Sequence, residues 1–313
     1  MLVRHSMAVA MLSCVFLAGS GLAQDGPYAD GDGATTEGSR LNNLISTIEA
    51  EQFGIGPFVA SRDPLNARML GGSGLDFVII DMEHNPYDAE TLRELIYNLR
   101  AADGSFPVTP IVRIPLNGRE ASQNQWLFKQ ILDAGAMGIM VPQVNSAEEA
   151  QAAVQAMRFP PFVDDEQLEP RGQRGFGGVP GAWGLNTEDY VQKADLWPLD
   201  PNGELLLIVQ FETAAAIDDM EAILSVPGVG AGFLGPADLH ADMGYLGQFG
   251  GVPEVAEKIA QAGATAREMG AYLGIIGNAS SWEDLADQGF MFISGGDVGL
   301  SQALSTDLES LDR

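Results

Sequence analysis

Short apolar runs alternate with amphipathic helical patterns along most of this sequence, and the alternation limits the fold more than any other feature. Eight apolar runs predict strands, and the helical periodicity between them predicts five clear helices. The predicted strands are Pro57–Ala60, Phe77–Asp81, Thr109–Arg113, Gly138–Val141, Leu205–Gln210, Gly232–Leu234, Tyr272–Ile276 and Phe290–Ser294. The predicted helices are Ala89–Ala101, Ala121–Ala134, Ser146–Met157, Ala214–Leu224 and Pro253–Met269.

Strands that alternate with helices in this number predict an α/β fold, a (β/α)8 TIM barrel formed by a single domain. A doubly wound sheet is the alternative, but no glycine-rich phosphate turn follows the first strands. The segment 159–204 interrupts the alternation, and we predict that it is a long loop insertion after the fourth helix of the barrel.

The first residues have the pattern of a secretory signal peptide, which we place at 1–23. A basic start precedes the apolar stretch Met7–Ala18, and the run Gly21-Leu22-Ala23 supplies the small residues of a cleavage site. A disordered or core-forming N-terminus is one alternative. A lipoprotein leader that uses Cys14 is another, but its apolar stretch would be very short.

Residues 24–40 are acidic, rich in glycine and nearly without large apolar side chains, so we predict a flexible tether there. The barrel domain then occupies 41–313. The leader predicts export, to the periplasm or the medium, and the mature chain would not remain in the membrane. No other segment is long and apolar enough to predict a membrane span.

Composition excludes several classes of function. The 43 acidic and 16 basic side chains give a formal net charge of −27, which argues against binding to nucleic acid or to an anionic membrane. Cys14 is the only cysteine, so cleavage of the leader excludes disulfides, thiolate metal sites and cysteine nucleophiles.

Polar side chains that can do chemistry cluster where predicted strands end. In a barrel these C-terminal strand ends meet at the active site. A carboxylate on an apolar strand is costly unless something neutralises it, and a divalent cation is one such partner. The residues in question are Asp81, Glu83, His84, Arg113, Gln210, Glu212 and Asp238.

Each of these residues also has a purely structural interpretation. His84 and Asp238 could cap helices, and Arg113 could form a structural ion pair. Taken together, their placement at neighbouring strand ends favours a functional site over separate structural roles. His240 could be a further ligand, but we predict that it is a loop residue.

Several sequence motifs, in this order, resemble the HpcH/HpaI aldolase/citrate lyase family. The similarity is greatest to its 2-oxo-acid branch, which includes 4-hydroxy-2-oxoheptanedioate aldolase, and it runs from about residue 43 to 305. The motifs are Asp81-Met-Glu-His84-Asn-Pro, Pro110-Ile-Val-Arg113-Ile-Pro, Leu132-Asp133-Ala-Gly135-Ala, Val141-Pro-Gln-Val, Gln210-Phe-Glu212-Thr, Gly235-Pro-Ala-Asp238-Leu and Ala241-Asp-Met-Gly-Tyr.

The resemblance implies a class II aldolase that uses a divalent metal on a (β/α)8 barrel, assembled as a homo-oligomer, a hexamer or trimer. Glu212 and Asp238 would hold the metal, with Mg²⁺ or Mn²⁺ expected first and Co²⁺ or Zn²⁺ as alternatives. Gln210, the backbone at Ala237 and Asp238 would contact a pyruvate-like unit. Arg113 would bind the same unit.

The resemblance also implies the groups that move protons and stabilise charge. His84 would belong to the proton-transfer machinery, and Asp133 would support its basicity. Arg113 would stabilise the enolate. In the family a small residue usually follows the Gly-Pro-Ala-Asp-Leu run, whereas this chain has His240 there.

Chemistry supports a metal route rather than a Schiff base. Cleavage of a C–C bond beside a ketone leaves an enolate, which enzymes stabilise with a lysine imine or a metal. Lys129, Lys193 and Lys258 are the only lysines, and none lies at the end of an apolar strand. Together with the family resemblance, which implies the substrate class, this predicts a metal-dependent lyase that cleaves a 4-hydroxy-2-oxo acid to pyruvate and an aldehyde, with oxaloacetate decarboxylation as a side activity.

Two other functions remain open at this point. One is a lyase for citrate- or malate-like thioesters, although so acidic a chain offers little docking surface for coenzyme A. The other is an exported binding protein that holds a metal and a 2-oxo acid without turnover. Retention of His84 and Arg113 argues against pure binding, since binding requires no base.

Overall fold

The computed structural model describes residues 40–163, 168–177, 180–248, 250–277 and 281–296. The predicted leader 1–23 and residues 24–39 of the predicted tether lie outside the described residues. None of the helices in the described part is long and apolar enough to cross a membrane.

Eight parallel strands close into a barrel, which confirms the predicted fold. The hydrogen-bonded order is β4-β3-β2-β1-β9-β8-β7-β6, and pairing of β4 with β6 closes the ring. A short additional strand, β5, pairs with the start of β6. The strands are β1 Gly54–Val59, β2 Phe77–Asp81, β3 Thr109–Arg113, β4 Gly138–Val141, β5 Leu196–Trp197, β6 Leu205–Phe211, β7 Ala231–Leu234, β8 Leu273–Ile276 and β9 Phe292–Gly296.

Helices surround this ring, and several are shorter than the periodicity predicts. The prediction Ala121–Ala134 divides at Asn124 into a 3-10 turn and a helix, and Ala214–Leu224 divides at Asp219. The helices are α1 Asn43–Glu49, α2 Pro64–Gly71, α3 Ala89–Asn98, α4 Gln125–Asp133, α5 Ala147–Met157, α6 Thr187–Lys193, α7 Ala214–Asp218, α8 Met220–Leu224, α9 Pro236–Asp242, α10 Pro253–Met269 and α11 Trp282–Asp287, with 3-10 turns at Gly118–Gln123 and Pro180–Trp183.

Helix α1 closes the end of the barrel at which the strands begin, here called the closed end. Its buried Leu44, Ile45 and Ile48 pack with inward-facing strand residues in one apolar cluster. The buried Glu204 carboxylate, just before β6, accepts the backbone N–H groups of Leu41 and Asn42 at 3.1 and 3.0 Å. This helix is too short for a clear sequence signal, and it leaves only the opposite end of the barrel open.

The segment 159–204 is an insertion in the alternation of strands and helices, as predicted, and it contains short elements of secondary structure as well as loops. It includes the turn Pro180–Trp183, α6 and β5. Arg158, 5% exposed, binds it through Asp195, with Nε–Oδ1 and Nη2–Oδ2 distances of 2.5 and 2.7 Å. A guanidinium buried at the root of the segment fixes it against the barrel.

Candidate active site

The open end of the barrel, here called the mouth, collects polar side chains because strand residues alternate between interior and exterior. Leu206 and Ile208 of β6 belong to the interior cluster. The same alternation turns Gln210 and then Glu212 inward, past the top of the apolar interior. Asp81 and Arg113, which are paired across β2 and β3, reach the mouth in the same way.

Arg113 is held by two carboxylates and an aromatic ring. Its Nε donates to Asp81 Oδ1 at 2.8 Å, and its Nη1 lies 3.1 Å from Glu83 Oε2. The guanidinium carbon lies 4.6 Å from the centre of the Phe58 ring. Burial alone would raise the pKa of Asp81, but the hydrogen bond and charge of Arg113 outweigh it and lower that pKa. The pair therefore stays ionised, and the guanidinium keeps one orientation.

Glu212 is almost fully buried, at 2% exposure, and its charge is poorly compensated. The backbone N–H of Gln143 donates to Oε2 at 2.8 Å, and Gln210 Nε2 donates to Oε1 at 3.3 Å. Burial, followed by the negative charges of Glu83 and Asp238, raises the pKa of Glu212 to about 8. Three carboxyl groups thus lie close enough to repel one another at the mouth.

Gln143 holds Glu212 from a strained backbone position. Its φ of 46° lies in the left-handed region, which residues other than glycine seldom adopt. This conformation follows the end of β4 and directs the Gln143 N–H at the Glu212 carboxylate. Backbone strain that orients a functional carboxylate is typical of active sites.

The donor set fits a divalent cation. Gln210 Oε1 is buried and has no hydrogen-bond partner. Gly235 leaves room beside Glu212, because a Cβ there would lie 2.6 Å from Glu212 Oε1. Among the described residues no cluster of three or more His, Cys, Asp or Glu side chains forms a metal site. The predicted ligands, Glu212 and Asp238, do not require such a cluster, because two carboxylates leave coordination positions of the cation open for substrate oxygens.

The structure brings some predicted site residues together and separates another. His84 follows β2 at the mouth, is 63% exposed, and has Nε2 3.5 Å from Glu83 Oε2. Asp133 ends α4 at the closed end of the barrel, where Arg174 Nη2 donates to its Oδ1 at 2.9 Å. Within one chain Asp133 therefore does not contact His84.

Residues 54–302 match the HpcH/HpaI aldolase/citrate lyase family. The chain belongs to this family. A hydroxypyruvate/pyruvate aldolase of Agrobacterium fabrum is 41% identical over 71% of this chain and 74% of its own. A 4-hydroxy-2-oxo-heptane-1,7-dioate aldolase of Shigella sonnei is 34% identical over 82% of this chain and 88% of its own.

A solved structure agrees with these relatives. An HpcH/HpaI aldolase/citrate lyase family protein from Burkholderia cenocepacia superposes with a TM-score of 0.70 at 30% identity, over 86% of this chain and 97% of that chain. The family match and these aldolase relatives show that the protein is a carbon–carbon lyase. The polar cluster at the mouth is its candidate active site.

His240 is not a loop residue in this HpcH/HpaI family member, so that prediction is wrong. It lies on α9, is 5% exposed, and its Nδ1 is 2.6 Å from the Pro236 carbonyl oxygen. Pro236 at the first helical position starts this helix directly after β7. Ala237 and Asp238 consequently lie in the first helical turn, with Ala237 exposed and Asp238 partly buried.

Two residues that contact Arg113 were not fully predicted from the sequence, because Glu83 was only one of the candidate polar residues at the strand ends and Phe58 was not a candidate at all. Glu83 stands in a recognised motif, yet only the structure shows its carboxylate beside both Arg113 and His84. Phe58 lies near the end of β1, and its aromatic character at a strand end was the available signal. The Glu83 carboxylate offsets the positive charge of Arg113, and the Phe58 ring helps to fix the position of the guanidinium.

We expect Arg113→Lys to lower kcat for C–C cleavage roughly 10²-fold, the scale of losing one charge-stabilising donor. A lysine ammonium is a point charge and cannot reproduce the planar fork that contacts Asp81 and Glu83 while it stacks on Phe58. Steady-state pyruvate formation measures the effect, and wild-type turnover by this variant would remove Arg113 from the reaction.

Proposed function

We propose that this enzyme is a divalent-metal-dependent class II aldolase that cleaves a 4-hydroxy-2-oxo acid to pyruvate and an aldehyde. The observation that carries the proposal is the buried pair of Gln210 and Glu212, which presents an unpartnered amide oxygen and a carboxyl group whose charge is poorly compensated. The names of the aldolase relatives support the same reaction class.

A bound divalent cation would supply Lewis-acid stabilisation of negative charge on the 2-oxo group. Glu212 and Asp238 would hold it. All donors here are oxygens, which favours Mg²⁺ or Mn²⁺ over Co²⁺ or Zn²⁺. Arg113 is oriented at the mouth to hydrogen-bond the same substrate oxygen as it gains charge.

The chain's own residues account for the proton transfer. As the C3–C4 bond breaks, its electron pair passes to the enolate of pyruvate, and the 4-hydroxyl must lose its proton. His84, exposed at the mouth beside Glu83, takes that proton as the aldehyde leaves, and uptake of a proton from solvent at C3 of the enolate then gives pyruvate. Oxaloacetate loses CO2 to give the same enolate, so decarboxylation is the expected side activity.

We further propose that the enzyme is exported and forms a closed homo-oligomer, a hexamer or trimer. The predicted leader supports export, and the family resemblance supports assembly. Fractionation of the native host and light scattering of the mature chain test these two proposals separately.

The decisive experiment measures pyruvate release from a racemic 4-hydroxy-2-oxo acid, coupled to lactate dehydrogenase. The protein is first treated with a chelator, and Mg²⁺, Mn²⁺, Co²⁺ or Zn²⁺ is then added back. Pyruvate formation that returns with metal supports the class II reaction. Metal binding without pyruvate would refute it and favour a thioester lyase or a binding protein.

We expect His84→Ala to lower kcat for cleavage by roughly 10²- to 10⁴-fold, as loss of general base catalysis does. Metal affinity should change little, because His84 is exposed and is not among the expected ligands. Calorimetric titration with Mn²⁺ and steady-state kinetics separate the two effects. A large loss of metal affinity would instead place His84 in the metal site.

A further inference from the structure

The connection between β2 and α3 carries His84, but the His84 side chain contributes little to its own position. Its ring is 63% exposed. The backbone of the connection must therefore set where the imidazole lies. On the barrel side, Asp81 Oδ1 accepts the N–H of Glu83 at 3.1 Å, and Asn85 Nδ2 donates to Asp81 Oδ2 at 3.3 Å.

Arg62, in the connection that follows β1, holds the same segment from the other side. Its Nη2 donates to the carbonyl oxygen of Pro86 at 2.6 Å, and its Nη1 lies 3.0 Å from Met82 Sδ. Met82 is fully buried in the outer apolar layer between strands and helices. Arg62 thus lies behind the segment, on the side away from the barrel interior.

We propose that Arg62 is a positioning residue for His84. It fixes residues 82–86 from the side of the segment that faces away from the barrel interior. The proposal rests on the proposed function, because His84 matters only if a hydroxyl proton must be moved. The planar guanidinium reaches two acceptors on either side of His84 at once. A displacement of about 1 Å in a reacting group is enough to lower a rate substantially.

Two reactions of the same enolate distinguish positioning of His84 from general support of the fold. Cleavage of a 4-hydroxy-2-oxo acid breaks C3–C4, leaves an enolate and transfers the 4-hydroxyl proton to His84. Decarboxylation of oxaloacetate breaks its C3–C4 bond and releases CO2 with the same enolate, and no hydroxyl proton is removed. Substitution of Arg62 should therefore slow cleavage of the 4-hydroxy-2-oxo acid and leave the rate of oxaloacetate decarboxylation unchanged.

The experiment compares both reactions in wild type, Arg62→Ala, Arg62→Lys and Arg100→Ala, all with saturating Mg²⁺. Arg100 is the matched control, since its guanidinium also donates to backbone carbonyls, those of Gly104 at 2.8 Å and Gly181 at 3.3 Å, at the closed end. His84→Ala shows the largest change that loss of His84 can cause in the ratio of the cleavage rate to the decarboxylation rate. Thermal unfolding of each variant checks that it is folded.

We expect Arg62→Ala to lower kcat for cleavage roughly tenfold to a hundredfold, with decarboxylation within about twofold of wild type. Arg62→Lys should show a smaller loss of the same kind, and Arg100→Ala should leave the ratio of the two rates unchanged. Equal losses in both reactions, or unchanged cleavage, would overturn the role of Arg62. Absence of pyruvate release by wild type would instead refute the proposed function, and the Arg62 proposal with it.

Discussion

Glu212→Gln is expected to abolish metal binding and to lower kcat/KM for cleavage by roughly 10³-fold or more, on the scale of losing the main charge-stabilising element of a site. The variant should nevertheless fold as the wild type does. Because the pKa of Glu212 is raised to about 8, the metal-free protein already carries a neutral carboxyl group there at pH 7. A neutral amide of nearly the same shape is then tolerated.

Glu204→Gln is the matched control for this substitution. Glu204 is also buried, and burial also raises its pKa, but it lies at the closed end, where it accepts the N–H groups of Leu41 and Asn42. Its substitution should leave the Kd for Mn²⁺ and kcat unchanged. Calorimetric titration with Mn²⁺ measures the Kd of both variants. A wild-type Kd for Glu212→Gln would show that Glu212 is not a metal ligand.

Metal affinity should fall roughly fiftyfold when the pH is lowered from 8 to 6, because one proton competes with the metal and half of the Glu212 carboxyl groups are already protonated at a pH equal to their pKa of about 8. The metal needs the ionised carboxylate, so each pH unit below that pKa costs about a factor of ten, and the affinity levels off above it. Titration with Mg²⁺ in two buffers of different ionisation enthalpy measures both the Kd and the protons released.

The same pKa predicts how the metal-free fold responds to pH. Folding raises the pKa of Glu212 from 4.5 to about 8, so the folded state binds this proton more tightly than the unfolded chain. The resulting stability is complete below pH 4.5 and is lost as the pH rises through 8, by at most about 5 kcal/mol.

Glu212→Gln provides the comparison for that pH dependence. Denaturant unfolding of the two proteins at pH 5 and pH 8, both with chelator, isolates the contribution of Glu212. The wild type should lose more stability than the variant over this interval. Equal pH dependence in the two proteins, or a Kd for Mg²⁺ that does not change with pH, would contradict the raised pKa.

The barrel was predictable where apolar runs are continuous, and less so where glycine interrupts them. The bounds Phe77–Asp81 and Thr109–Arg113 were predicted as observed, because these strands are buried on both faces. The start of β1 at Gly54 was missed. A Cβ on Gly56 would lie 2.2 Å from the Phe77 carbonyl oxygen, so close packing against β2 requires a residue that carries no apolar signal.

The site was predictable to the extent that strand alternation alone determines it. Gln210 and Glu212 follow the inward-facing residues of β6 at the spacing of two that strand alternation requires. Asp81 and Arg113 are the last inward-facing residues of β2 and β3. The conformation of Gln143, with a positive φ, depends on contacts that sequence spacing does not encode. The role of Asp133 was assigned from family resemblance. A resemblance between motifs implies a function for the residue, but it does not say at which end of one barrel the residue lies.

The closed end also determines how this enzyme can be attached to something else. Arg40, the first described residue, donates from its guanidinium to the carbonyl oxygens of Pro201 and Gly203 at 2.7 and 3.0 Å. Helix α1 follows directly and closes the barrel there. A fusion partner, affinity handle or solid support joined ahead of Arg40 is therefore linked at the end opposite the mouth. Immobilised in this way, the catalyst presents its open end to the substrate stream.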